Sequence, residues 1–162
     1  MHRKLGIAVA LAVALAVSGY AQKQKKKPDF SGTWAVDTEK SESAPPQGGG
    51  PGGGRGPGGT TGHFTIKQTA DSISIEGVGR QGAQSRTYKL DNSEQVMKFG
   101  QMEAKARARW QGDRIVIETL RRAQDGTPFM TSVTYSLNAD GTLTAENKTP
   151  MGVRKVVYKK ST

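Results

Sequence analysis

The chain has 162 residues, one domain's worth with allowance for tails. It carries 24 Lys plus Arg against 14 Asp plus Glu, a net charge of +10, and no cysteine. A disulfide scaffold, a thiolate catalyst and a cysteine metal centre are thereby excluded, and the basic balance favours anionic partners without choosing among lipid, glycan and nucleic acid.

Met1-His2-Arg3-Lys4 is a basic start, and Leu5 to Val17 is an apolar run of 13 residues. That run is too short to span a bilayer comfortably, and the small residues Gly19 and Ala21 follow it. The pattern predicts a signal peptide over 1–21, cleaved after Ala21, with an uncleaved membrane anchor as the alternative. An exported protein, periplasmic or secreted, is expected, with no transmembrane segment after cleavage. Loss of Arg3 and Lys4 leaves 22 cationic against 14 acidic residues, a net +8. It also leaves a single histidine, His63, so a multi-histidine metal site is excluded and a Ser-His-Asp system elsewhere lacks its base.

Residues 22–29 form a basic tail, solvated or in weak contact with an anionic envelope surface. The folded domain is expected over 30–160. Asp29-Phe30-Ser31-Gly32-Thr33-Trp34-Ala35-Val36-Asp37 holds a short first strand. A Gly/Pro-rich segment follows at 41–62, with QGGGPGGGRGPGGTTG at its heart. It offers too little apolar surface to offset its backbone entropy, so a disordered loop inside one domain is expected. Sixteen such residues span about 22 Å, enough to cross one end of a small barrel.

From His63 short alternating runs and turn signals succeed one another. His63–Thr69 and Ser72–Gly77 flank a tight turn, and Gln84–Leu90 and Val96–Phe99 follow. In Met102–Trp110 the apolar residues occupy every second position, Met102, Ala104, Ala106, Ala108 and Trp110. That period of two selects strand over helix despite the Ala, Lys and Arg content. Arg114–Arg122, Pro128–Leu137, Thr142–Lys148 and Val153–Lys160 complete about ten strands, with no convincing helix after the signal. Ten sequential strands on tight turns predict a single all-β, up-and-down antiparallel barrel of about eight to ten strands.

Phe30-Ser31-Gly32-Thr33-Trp34 resembles the Gly-x-Trp start of the calycins, the group of lipocalins and fatty-acid-binding proteins. Trp110-Gln111-Gly112-Asp113-Arg114-Ile115 resembles the W-x-G-x-x-L turn of that group. Val156-Val157-Tyr158-Lys159-Lys160 is similar to the last strand of the fatty-acid-binding proteins. The whole is similar to small bacterial secreted lipocalin-like proteins, loosely over residues 30–160. The resemblance implies a barrel that holds a small apolar ligand. Two features differ from the fatty-acid-binding group. The Gly-rich loop replaces its two helices, and Val156 stands where its carboxylate-binding Arg-x-Tyr pair has the Arg, beside Tyr158.

Gly32 and Trp34 are expected to be structural, Trp34 as a core plug whose face a cation from the last strand, Arg154 foremost, is placed to cover. Candidate ligand contacts are Arg86, Tyr88, Trp110, Ile117, Tyr135, Arg154, Val156 and Tyr158. Arg86 with Tyr88, and Arg154 with Val156 and Tyr158, share strand faces. Two arginines beside inward tyrosines would meet an anionic head group, unless both lie at a wet rim. The row Ala104, Ala106, Ala108 leaves room inside. Arg107, Arg109, Arg121 and Arg122 are expected to form a basic outer patch. No catalytic set, cofactor or metal site is expected, and the turn aspartates Asp113, Asp125 and Asp140 are explained by turn geometry. The expected function is an exported, non-catalytic lipocalin-like protein that binds a small apolar or amphipathic anionic ligand. The alternative is a structural or interaction protein of the envelope with a filled barrel. No specific nucleic acid is expected as a partner.

Overall fold

A computed structural model of the chain describes residues 26–41, 62–79, 82–99, 102–123 and 125–161. The expected signal peptide at 1–21, the tail residues 22–25 and the Gly/Pro-rich residues 42–61 lie outside the described residues.

Ten strands follow in chain order: β1 (Gly32–Val36), β2 (His63–Gln68), β3 (Ser72–Gly79), β4 (Gly82–Lys89), β5 (Gln95–Phe99), β6 (Met102–Gln111), β7 (Arg114–Arg122), β8 (Pro128–Leu137), β9 (Leu143–Thr149) and β10 (Gly152–Lys160). They form one antiparallel sheet in the order β4-β3-β2-β1-β10-β9-β8-β7-β6-β5. The first and last strands pair, so the meander curls into a barrel whose only break in the ladder lies between β4 and β5. Near that break β4 approaches β6, a bridge joins Asp91 to Arg109, and the Asn92 amide donates to the Ala108 carbonyl at 2.9 Å. The described residues thus form an all-β, nearly closed, up-and-down barrel.

The period-two pattern of β6 explains why it is a strand. Ala104, Ala106 and Ala108 are buried, while Glu103, Lys105 and Arg107 are exposed. Gly112, at φ 65°, turns β6 into β7 with the left-handed backbone that a tight hairpin needs.

Register ranks the interior into levels. Val36, Tyr158, Leu143 and Leu137 form one row, and Val156, Ala145, Tyr135, Ile115 and Trp110 the next. Arg154, Asn147, Val133, Ile117 and Ala108 come after, and then Thr131, Thr119, Ala106 and Gln95. Side chains change from apolar to polar along this sequence. The apolar end holds Phe30, Trp34, Phe64, Ile66, Ile73 and Leu143, all fully buried in one continuous core. We refer to it as the plugged end. At the far end lie the hairpin tips between β3 and β4, β5 and β6, β7 and β8, and β9 and β10.

Candidate functional site

The plug is built from both ends of the domain. Trp34 is fully buried, and its indole Nε1 donates to the Phe30 carbonyl at 2.9 Å. Lys160 lies opposite it in the β1–β10 register and holds Nζ 5.5 Å from the ring centre. The cation over Trp34 is therefore Lys160 and not Arg154. The register decides this, because Arg154 pairs with Asn147, several rows toward the far end. Gly32 leaves room for the Lys160 stem, and a Cβ there would meet Cε at 3.2 Å.

Trp110 belongs to the same plug. Its ring centre is 6.0 Å from that of Phe30, and Lys27 places Nζ 4.7 Å from the indole while donating to the Gly112 carbonyl at 3.0 Å.

Above the plug sit the polar groups of the interior. Tyr135 and Tyr158 are each 1% exposed and Tyr88 4%. Burial pushes all three phenol pKa values up. Burial raises Tyr135 well above the ordinary phenol value, with Tyr88 and Tyr158 adding to the rise, while the charge of Arg86 opposes it. Arg86 and Arg121 likewise oppose the rise at Tyr88. Two guanidinium groups and three phenols thus share one neighbourhood. The Tyr158 ring meets Phe64 edge-on at 4.9 Å, and its buried hydroxyl has no hydrogen-bond partner among the described residues. Arg86 donates from Nη2 to Gln84 Oε1 at 2.6 Å. At the inward positions of the ten strands, every charged residue is cationic: Arg86, Arg121, Arg154 and Lys160.

The expected ligand contacts divide accordingly. Arg86, Tyr88, Tyr135 and Tyr158 come together, and Ile117 and Val156 are buried in the adjoining wall. Trp110 lies in the plug, and Arg154 is exposed on β10 beyond the buried rows. The alanines of β6 are packed into the core.

Arg121 was expected on an outer basic patch, and the structure turns it inward. It follows Ile115, Ile117 and Thr119 at alternate positions of β7, pairs with Phe129 and is half-buried. Strict alternation from Ile115 carries this signal, and the run of neighbouring arginines obscured it. Arg107 and Arg109 do face outward. Arg107 meets Glu94 at 3.3 Å, and Arg109 grips Glu118 with two bonds of 2.7 and 3.2 Å. Arg122 is exposed and donates to the Gly126 carbonyl.

A cavity of about 390 Å³ opens on the β2–β3–β4 wall, between Phe64, Gly77, Val78, Ala83 and Gln84. Gln84 joins it to Arg86.

No protein-family model matches the chain, and neither does any curated protein. Solved structures do. A secretory abundant heat soluble protein 4 from Ramazzottius varieornatus is 16% identical at a TM-score of 0.50, covering 62% of this chain and 69% of its own. A second secretory abundant heat soluble protein from that organism is 20% identical at 0.50, covering 61% and 70%. The REP1-NXSQ fatty acid transporter is 14% identical at 0.55, covering 82% of this chain and 96% of its own. At such identities the likeness concerns backbone architecture. With ten meandering strands, a Trp34 plug and these neighbours, the chain has a lipocalin-like barrel fold, shared with them at the level of the backbone.

Proposed function

We propose that the barrel is a non-catalytic carrier or sensor that binds one small anionic amphipathic molecule. Its anionic group faces Arg86 and Arg121, and its apolar part lies against Ile117, Tyr135 and Val156. The carrying observation is the inward cationic pair among three buried phenols, one of which has a hydroxyl with no partner among the described residues. A guanidinium inside a low-dielectric wall favours a carboxylate or phosphate, and a phenol adds a donor to the same oxygen. Mostly apolar walls with a few convergent polar groups are the usual make-up of a ligand site. A solved barrel of this fold is named as a fatty acid transporter, so fatty acids are the first ligands to try. Export, expected from residues 1–21, belongs to the same proposal and places the carrier outside the cytoplasm.

Calorimetric titration tests the reading with fatty acids, the matching neutral alcohols and isoprenoids. Wild type is compared with the Arg86→Gln, Arg121→Gln double variant. Binding of acids over alcohols that vanishes in the double variant supports the proposal. Acids and alcohols binding equally, or neither binding, overturns it.

A second reading, a filled barrel acting as an envelope interaction protein, has one observation in its favour. Five bulky side chains, Trp34, Tyr135, Tyr158, Phe30 and Phe64, are fully buried within the barrel. Absence of any co-purified small molecule in native mass spectrometry of protein from its own host favours this second reading.

A further inference from the structure

Six large hydrophobic residues are exposed among the described residues: Val78, Val96, Leu120, Met130, Met151 and Val153. All six lie toward the far end, and the plugged end carries none of them. Their placement is ordered. Val96 pairs with Lys105, Lys105 with Leu120, and Leu120 with Met130, so these residues form one row around the outer wall of β5 to β8. Val153 pairs with Lys148 in the neighbouring hairpin, whose turn carries Met151 at 92% exposure. Exposed apolar side chains scattered singly need no explanation, but a row of them confined to one end does.

The charge around that row is basic. Lys98, Arg122, Lys148 and Arg154 are exposed at this end, against Glu103 and Asp125. Lys105, within the row, reaches Glu94 at 2.7 Å.

We propose that the far end of the barrel is a docking surface for an anionic lipid bilayer. Met151, Val153, Met130, Leu120 and Val96 enter the interfacial layer while Lys98, Arg122, Lys148 and Arg154 meet the head groups. Apolar insertion combined with electrostatic attraction to acidic lipid is the established physics of interfacial binding. Two features favour lipid over nucleic acid and over a protein. Among the described side chains the exposed apolar set is wholly aliphatic, whereas single-stranded nucleic acid is gripped by stacking on aromatic rings. The set also sits on separate hairpins around a curved rim, which a deformable surface accommodates and a rigid, shape-matched partner does not. Docking there points the Arg86–Arg121 neighbourhood toward the bilayer, yet the proposal does not depend on a ligand inside the barrel.

The cysteine-free chain suits a site-specific test. The full chain carrying Met151→Cys is labelled with an environment-sensitive dye, as is the full chain carrying Ala139→Cys in an exposed turn of the plugged end. Each is titrated with vesicles of phosphatidylcholine and phosphatidylserine, with pure phosphatidylcholine vesicles, and with polyuridylate. A several-fold gain in fluorescence with a blue shift is expected for Met151→Cys on the anionic vesicles only, and none for Ala139→Cys. Adding Lys148→Glu with Arg154→Glu should weaken the vesicle response about tenfold, and Leu120→Ser with Met130→Ser should weaken it with all charges intact. Equal responses at the two labels mean adhesion without orientation and overturn the proposal. So does no response, or a polyuridylate response equal to that of vesicles and indifferent to the serine variants.

Discussion

Lys160 and Trp34 stand opposite each other across the β1–β10 ladder, the ammonium 5.5 Å from the indole centre. The contact ties the last residue of the last strand to the first strand, over a ring that also anchors the Phe30 carbonyl.

The parts of this arrangement carry unequal weight. Trp34→Ala should cost about 3–5 kcal/mol, through a lost buried ring and the cavity it leaves. Lys160→Met should cost only about 0.5–1 kcal/mol, because the cation is partly in water. Gly32→Ala should be worse than Lys160→Met, at roughly 1–3 kcal/mol, since Gly32 holds φ at +140° and the new methyl crowds Lys160. Urea unfolding of the three variants measures the ranking. A Trp34→Ala midpoint equal to wild type would mean that the plug does not hold the barrel closed.

Tyr158→Phe separates stability from binding. The buried Tyr158 hydroxyl has no partner among the described residues, so its removal should leave the ligand-free protein unchanged or more stable by up to about 1 kcal/mol. On the proposed carrier function, affinity for an anionic amphiphile should fall at the same time, because the hydroxyl would be a donor to its anionic group. Paired thermal unfolding and calorimetry give both values. A variant that loses stability without ligand shows that the hydroxyl was satisfied.

Acid should weaken the outer wall. The hydrogen bonds from Arg109, followed by its charge, hold the Glu118 carboxyl below its ordinary 4.5. A carboxyl depressed in the folded state adds stability above its unfolded pKa and loses it as pH falls through the folded value. The window therefore opens near pH 4.5 and extends below it. The side chains are one-third exposed, so the share of this pair is about 0.5–1 kcal/mol. Urea midpoints measured from neutral pH downward should fall less steeply in Glu118→Gln than in wild type. Identical slopes would assign the acid limb to other carboxylates.

The strands were legible because each wall residue obeys one alternation. Ala104, Ala106 and Ala108 fall inward, and Lys105 and Arg107 outward, as period two requires. Trp34 was legible because a lone aromatic on a short first strand has few roles beyond the core. What escaped was long-range register. Whether Arg154 or Lys160 faces Trp34 depends on how β10 slides along β1, and a shift of two residues leaves every side chain on its face. Arg121 escaped for a different reason. Its neighbours Arg107, Arg109 and Arg122 face water, and local charge density outweighed the parity set by Ile115. The convergence of Arg86 and Arg121 on Tyr88 depends on closure of the barrel, which brings β4 beside β6 and so close to β7, and no single-strand pattern encodes that.

The unpaired seam between β4 and β5 has a topological consequence. These two strands are the sheet's edges, so the covalent link through Asn92 is the one inter-strand connection that joins no hydrogen-bonded pair. On the opposite side the Ser161 amide already donates to the Thr33 carbonyl at 2.8 Å, which brings the start and finish of the domain within a short linker's reach. A circular permutant that fuses residue 161 to residue 29 and reopens the chain at Ser93 would keep all nine ladders. Its order along the chain would then match its order around the barrel, β5 first and β4 last.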